Sequence, residues 1–148
     1  MAETIEHWLS ESTDVPVWGT RFCGLDELGK GLVLTALRRI TRKPIVAVFP
    51  SRALTRNAID NFSFFAGSAI KDRCHYLPVL EFDFYRGLLP NPELICERNV
   101  ALLHLLNDPD DRIFFTTVGA LLQKAVPPIE FLGATRVLSV NDEVERDA

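Results

Sequence analysis

Hydrophobic positions alternate between two rhythms along the chain. From Lys30 the spacing is helical: Leu32, Val33, Leu37 and Ile40 fall on one face. Arg38, Arg39, Arg42 and Lys43 crowd the end of that helix, where cations suit the dipole, and Pro44 stops it. Residues 45–49 form an unbroken apolar, β-branched run, which predicts a strand buried on both faces. Ser51 is placed to cap the next helix, in which Leu54, Ala58, Phe62 and Phe65 share a stripe and Gly67 marks the stop. Residues 74–77 predict a short strand. Asn91, Pro92 and Glu93 supply a cap, a proline at the first helical position and an acid in the first turn. In that helix Ile95, Leu102 and Leu106 mark one face and Cys96, Val100 and Leu103 an adjoining one, which implies burial on more than one side. A turn at 107–111 precedes a strand at 112–116, a short helix at 118–124 that Pro127 and Pro128 break, and a last strand at 136–140. Upstream, residues 4–10 predict a short amphipathic helix, 15–19 a connector, and 20–23 a short strand running into Gly24.

Strands alternating with helices predict an α/β fold, a mostly parallel sheet flanked by helices. In such sheets sites lie at the carboxyl ends of the strands. Residues 1–19 read as an N-terminal extension and 20–148 as the α/β domain. A chain of 148 residues fits one domain with one core. Its 47% apolar and 24% charged residues are ordinary for a globular protein. A net charge of −4 argues against clamping nucleic acid by charge alone. No apolar run is long enough to span a membrane. Residues 1–14 carry Glu3, Glu6, Glu11 and Asp14 without a Lys or Arg, unlike a secretory leader, so the expectation is a cytoplasmic protein. Cys23, Cys74 and Cys96 are widely spaced and odd in number, which fits reduced, mostly buried thiols.

The candidate chemistry lies at residues 24–31. Gly24, Gly29 and Lys30 fall in register with the phosphate-loop pattern G-x-x-x-x-G-K-[ST], but Gly31 stands where the Mg²⁺-binding hydroxyl belongs. Asp26 and Glu27 add two negative charges inside the loop, and like charges about 4 Å apart cost about 4 kcal/mol at the effective dielectric of a protein surface. The nearest second acidic motif, residues 79–83 with Glu81 and Asp83, is spoiled by Glu81 and by Pro78 before it. Gly24, Gly29, Lys30 and Gly31 therefore read as a vestigial phosphate loop whose glycines serve a tight strand-to-helix turn, with no catalytic residue. His7, His75 and His104 share no ligand spacing with each other or with the cysteines, so no metal site is expected. Ser51, Ser63 and Ser68 lack a nucleophile elbow. The basic run Arg38, Arg39, Arg42 and Lys43 reads as a solvated helix end, with docking on an acidic partner or DNA as the alternative. Phe82, Phe84 and Tyr85 read as a lid on the core rather than a base-stacking platform.

Three stretches resemble the N-terminal region of bacterial transcription-repair coupling factors, the Mfd family. Residues 42–50 resemble its apolar strand followed by Pro. Residues 89–98 are similar to a segment of the form S-P-H-x-[DE]-I-I-x-x-R, matched at Pro90, Glu93, Ile95 and Arg98 and departing at Leu89 and Asn91. Residues 115–124, with Pro127 and Pro128, resemble T-T-V-x-A-L-L-Q-[RK] and its Pro pair, the most specific of the three. The resemblance covers roughly residues 20–148. It implies domain 1a of a module shared with UvrB: a P-loop NTPase-like fold with degenerate nucleotide motifs, no activity and no cofactor of its own. In the family the next domain binds UvrA, and further domains bind RNA polymerase and form the ATP- and Mg²⁺-dependent DNA translocase. The chain stops where the family continues into the UvrA-binding domain, so a fragment or truncated product is the expectation. The expected role is a non-catalytic scaffold and regulatory domain in transcription-coupled nucleotide excision repair. The alternatives are a weak nucleotide-binding P-loop module, using Lys30 and the amides of residues 28–31, and a DNA-binding module.

Overall fold

The structure is a computed structural model that describes residues 22–82, 85, 87, 89–138 and 140. The expected helix at 4–10, the connector at 15–19, and Arg21, Asp83, Phe84 and Arg86 lie outside the described residues. The described chain runs α1 (Glu27–Ile40), β1 (Ile45–Phe49), α2 (Arg52–Ala66), a 3-10 segment (Ser68–Arg73), β2 (Cys74–Leu77), α3 (Pro92–Asn107), β3 (Ile113–Thr117), α4 (Val118–Leu122) and α5 (Pro128–Ala134). The three strands form one parallel sheet in the order β1-β3-β2. The fold is therefore α/β, with helices flanking a small parallel sheet. No described helix is long and apolar enough to cross a membrane.

Local chemistry sets the element ends. The Ser51 hydroxyl accepts the Leu54 N–H, and Gly67 takes φ +77° at the other end of α2, a conformation that favours glycine. Asn91 accepts the Glu93 N–H ahead of Pro92. The Thr117 hydroxyl accepts the Ala120 N–H, so β3 passes directly into α4.

β3 lies at the centre, paired on both edges, and is buried along its whole length. Ile113 and Phe115 join Ala47, Ala58 and Phe62 on the face that α2 covers, with the Phe62 and Phe115 rings 5.5 Å apart. On the opposite face Phe114 and Leu77 pack with Ala101, Leu102 and Leu105 of α3. That helix covers β2 and β3 and leaves β1 open. Val46 and Val48, which share the Phe114 face by register, are 49% and 45% exposed. The expectation that β1 is buried on both faces fails for this reason.

Other expectations are corrected as well. α1 begins at Glu27 rather than Lys30, because Asp26 caps the helix there, its carboxylate accepting the Gly29 N–H. Its buried positions are Gly31, Val33, Thr35, Ala36 and Arg38, while Ile40 is exposed, because the close approach to α2 selects the narrow face. Phe22, Cys23 and residues 136–138 belong to no strand, and Val137 and Leu138 are exposed: an extended run becomes a strand only by pairing in a ladder, and the described ladders join only β1, β3 and β2. Pro127 and Pro128 do break the chain after α4, but Pro128 then opens α5, a helix the sequence reading omitted. Tyr85 is fully exposed and Phe82 half-exposed, so neither is a core lid.

Candidate functional site

The glycine-rich stretch is built as the first turn and a half of α1. Gly24 takes φ +75° in the approach and is exposed. Asp26 is the N-cap, and its Oδ1 accepts the Gly29 N–H at 2.6 Å. The Lys30 N–H donates to the Asp26 carbonyl at 3.1 Å, an ordinary helical bond. Its ammonium donates to Glu27 Oε1 at 2.6 Å. A phosphate held at a helix N-terminus needs free amides, and a carboxylate already occupies the Gly29 amide here. Asp26 and Glu27, which the sequence placed in the path of a polyanion, thus serve as cap and lysine partner.

Gly31 has a different role from the missing hydroxyl. A Cβ built there would lie 2.8 Å from Asn61 Cβ and 2.9 Å from the Asn61 carbonyl carbon. The glycine lets α1 and α2 touch at backbone distance, and Asn61 Nδ2 fixes the contact by donating to the Glu27 carbonyl at 3.1 Å. Gly24, Gly29, Lys30 and Gly31 are therefore near one another, as the pattern requires, but each has a structural partner or packing reason of its own except exposed Gly24.

The second place of convergence lies beyond the carboxyl ends of β2 and β3. Arg98, 6% exposed, donates from Nη1 to the Pro78 carbonyl at 2.8 Å and reaches the Ala120 carbonyl at 3.4 Å from Nη2. Burial depresses its pKa from the usual arginine value. The Gln123 amide pairs with Leu80 in both directions: Nε2 donates to the Leu80 carbonyl at 2.5 Å and Oε1 accepts the Leu80 N–H at 2.9 Å. Residues 78–80 are thus held by α3 and by the chain just after α4. The described residues 78–82 form no strand, so the weak acidic motif gains no β geometry over them, and its Asp83 lies outside the described residues.

The basic run divides. Arg38 is buried and paired with Asp111, contrary to a solvated helix end, while Arg39, Arg42 and Lys43 are exposed. The cysteines divide as well. Cys23 and Cys96 are exposed, against the expectation of burial, and half-buried Cys74 has its thiol pushed up to about 11 by desolvation.

The sequence missed one cluster. His75 and His104 stack with ring centroids 4.4 Å apart, His75 also stacks on Phe114, and Arg112 Nη1 lies 3.0 Å from His75 Nε2. A guanidinium N–H only donates, so Nε2 is an acceptor and His75 is neutral. Burial first, then the neighbouring His104 and Arg112 charges, lower the His75 pKa to about 4. His104 is lowered too, by burial and Arg112 against the opposing pull of Asp108. The two histidines are 29 positions apart, so no local spacing carried this signal. Among the described residues, no group of three or more His, Cys, Asp or Glu side chains is arranged to hold a metal ion.

Comparison with protein-family models, with curated proteins and with solved structures finds nothing that matches the chain.

Proposed function

We propose that the chain is a non-catalytic scaffold domain of a transcription-repair coupling factor, with a P-loop NTPase-like fold that has lost its nucleotide site. The observation that carries this reading is the convergence of two of the family-like stretches on one segment. Arg98 ends the stretch at 89–98 and Gln123 lies in the stretch at 115–124, and both bind the backbone of residues 78–80. The residues that carry the resemblance thus share a structural task, which is the kind of coupling a scaffold needs. The Gly24–Gly31 stretch adds support: a carboxylate on the Gly29 amide and a lysine tied to Glu27 leave little to hold a polyphosphate.

On this reading the domain has no cofactor and works through other parts of its parent protein. UvrA, RNA polymerase and DNA are engaged by domains outside this chain, ATP and Mg²⁺ by the parent motor, and the setting is the cytoplasm.

Titration with a fluorescent ATP analogue, with and without Mg²⁺, tests it. The expected result is no saturable binding below about 100 μM, a threshold of roughly 5.5 kcal/mol. Tighter binding that Lys30→Ala abolishes would replace the scaffold with the nucleotide-binding module. Reading the gene beyond the Ala148 codon tests the family directly, and the expected continuation is a UvrA-binding domain followed by helicase motifs.

A further inference from the structure

The sheet face that carries Phe114 is covered by α3 over β2 and β3 and is open over β1, where Val46 and Val48 are exposed. The opposite face holds two helices, α1 through Leu34 and α2 through Ala58 and Phe62. One helix position is therefore unfilled, and α3 forms its wall. His104 lies on the β2 side of α3, stacked on His75. At 3.6 residues per turn, Ile95, Leu102 and Leu106 fall about 160–180° round the axis from His104, on the flank toward β1. Leu106 is exposed and the other two are half-buried. Two exposed cations, Arg42 and Lys43, lead into β1 at one end of this apolar groove. Of the acids in the turn before β3, Asp108 pairs with Arg112 and Asp111 with Arg38 and Arg73, so of that turn only exposed Asp110 opposes the two cations.

We propose that the chain's own N-terminal segment fills this groove, residues 4–10 docking as a helix with Trp8 against Val46 and Val48. Ile5, Trp8 and Leu9 recur at i, i+3 and i+4, one apolar stripe of the kind a helix lays into a groove. Glu3, Glu6, Glu11 and Asp14, with no Lys or Arg among residues 1–14, give the segment the charge opposite to Arg42 and Lys43. The reach is sufficient. The segment joins the described chain at Phe22, just ahead of α1, and residues 10–21 extended span about 40 Å, several helix diameters. Among the described residues β1 pairs only with β3, so its outer edge leaves a path from the layer of α1 to the layer of α3. The other end of the chain does not fit, because residues 141–148 are acidic with Val144 as their one large apolar side chain. The proposal stands whether or not the scaffold reading holds, because it uses neither Lys30 nor the contacts of Arg98 and Gln123.

The test uses the whole 148-residue chain with ¹³C-labelled valine and leucine methyls and Trp18→Phe, which leaves Trp8 as the one tryptophan of two. Expected are nuclear Overhauser effects from the Trp8 indole to the Val46, Val48 and Leu102 methyls, the mark of side chains in contact at about 4.5 Å. Val48→Asp, a change at an exposed strand position, is expected to remove them and to expose Trp8 to acrylamide quenching. Ile5→Glu, which lies in the segment and leaves the described core untouched, is expected to do the same. Absence of these effects in the parent chain overturns the proposal, and so does their persistence in Ile5→Glu. Effects seen only between differently labelled copies of the chain also overturn it, because the groove would then be an interface between two molecules.

Discussion

Arg38 of α1 and Asp111, the residue that turns the chain into β3, form an ion pair across a sequence separation of 73. The Asp111 carbonyl also accepts from Arg38 Nη2 at 2.5 Å, its carboxylate takes Arg73, and its N–H donates to the Arg42 carbonyl at 2.7 Å. One aspartate thus ties the end of α1, the 3-10 segment and the start of β3.

Because Arg38 is buried, removing its counter-charge leaves an uncompensated cation. Asp111→Asn is expected to lower stability by roughly 1–3 kcal/mol. Asp111 also has φ +60°, a region Asn tolerates and β-branched residues do not. Asp111→Val should therefore cost about 1–2 kcal/mol more than Asp111→Asn. Urea unfolding of both variants checks the ordering; equal losses would mean the backbone conformation contributes nothing.

Restoring the phosphate-loop hydroxyl should harm the protein. Gly31→Ser puts a side chain where a Cβ alone meets Asn61 at 2.8 Å, so α1 and α2 must separate. The overpacking cost of about 1–3 kcal/mol exceeds the gain of a few tenths from replacing a helical glycine by serine. A lowered thermal midpoint with no Mg²⁺-dependent nucleotide affinity is the expected pair of results, and calorimetry with and without Mg²⁺ reads both.

Acid lability should centre on His75. Its folded-state pKa of about 4 lies below the ordinary 6.5, so the unfolded chain takes up a proton first as pH falls. Its contribution is fully present above pH 6.5 and is lost between pH 6.5 and about 4, with a limiting slope of about 1.4 kcal/mol per pH unit. Chemical-denaturation midpoints across that range should fall with pH in the parent and be flatter in His75→Phe.

Arg98 and Gln123 should be coupled. Arg98→Met removes the donor to the Pro78 and Ala120 carbonyls, and Gln123→Ala frees both polar groups of Leu80. Each is expected to cost about 1–3 kcal/mol, with a double-mutant interaction of at least about 0.5 kcal/mol. Additive losses would separate the two tethers and remove the shared task on which the scaffold reading leans.

Thiol reactivity should split two to one. Exposed Cys23 and Cys96 should react with a thiol reagent at pH 8 well ahead of Cys74, whose raised pKa keeps it protonated. Mass spectrometry of timed alkylation identifies the order.

What the sequence made legible is what a few neighbouring residues decide. The Ser51 and Asn91 caps, the Gly67 stop and the strand at 74–77 rest on local chemistry, and all appear as read. What it hid depends on remote partners. Arg38 looked solvated because Asp111 was out of view, and the histidine stack joins β2 to α3. Val46 and Val48 read as core, although only the placement of α3 decides which strands are covered. At Gly24–Gly31 the pattern was legible as spacing, but the roles of Asp26 and Gly31 became clear only from the capping bond and the nearness of Asn61.

The central position of β3 has a consequence for synthesis. β1 and β2 leave the ribosome before β3, yet among the described residues each pairs only with that strand. No part of this sheet can close until residues 113–117 are free, so the nascent chain carries both earlier strands unpaired until then. A chaperone that binds extended apolar segments should meet this protein while it is still being made, at residues 45–49 and 74–77, and release it once β3 is delivered.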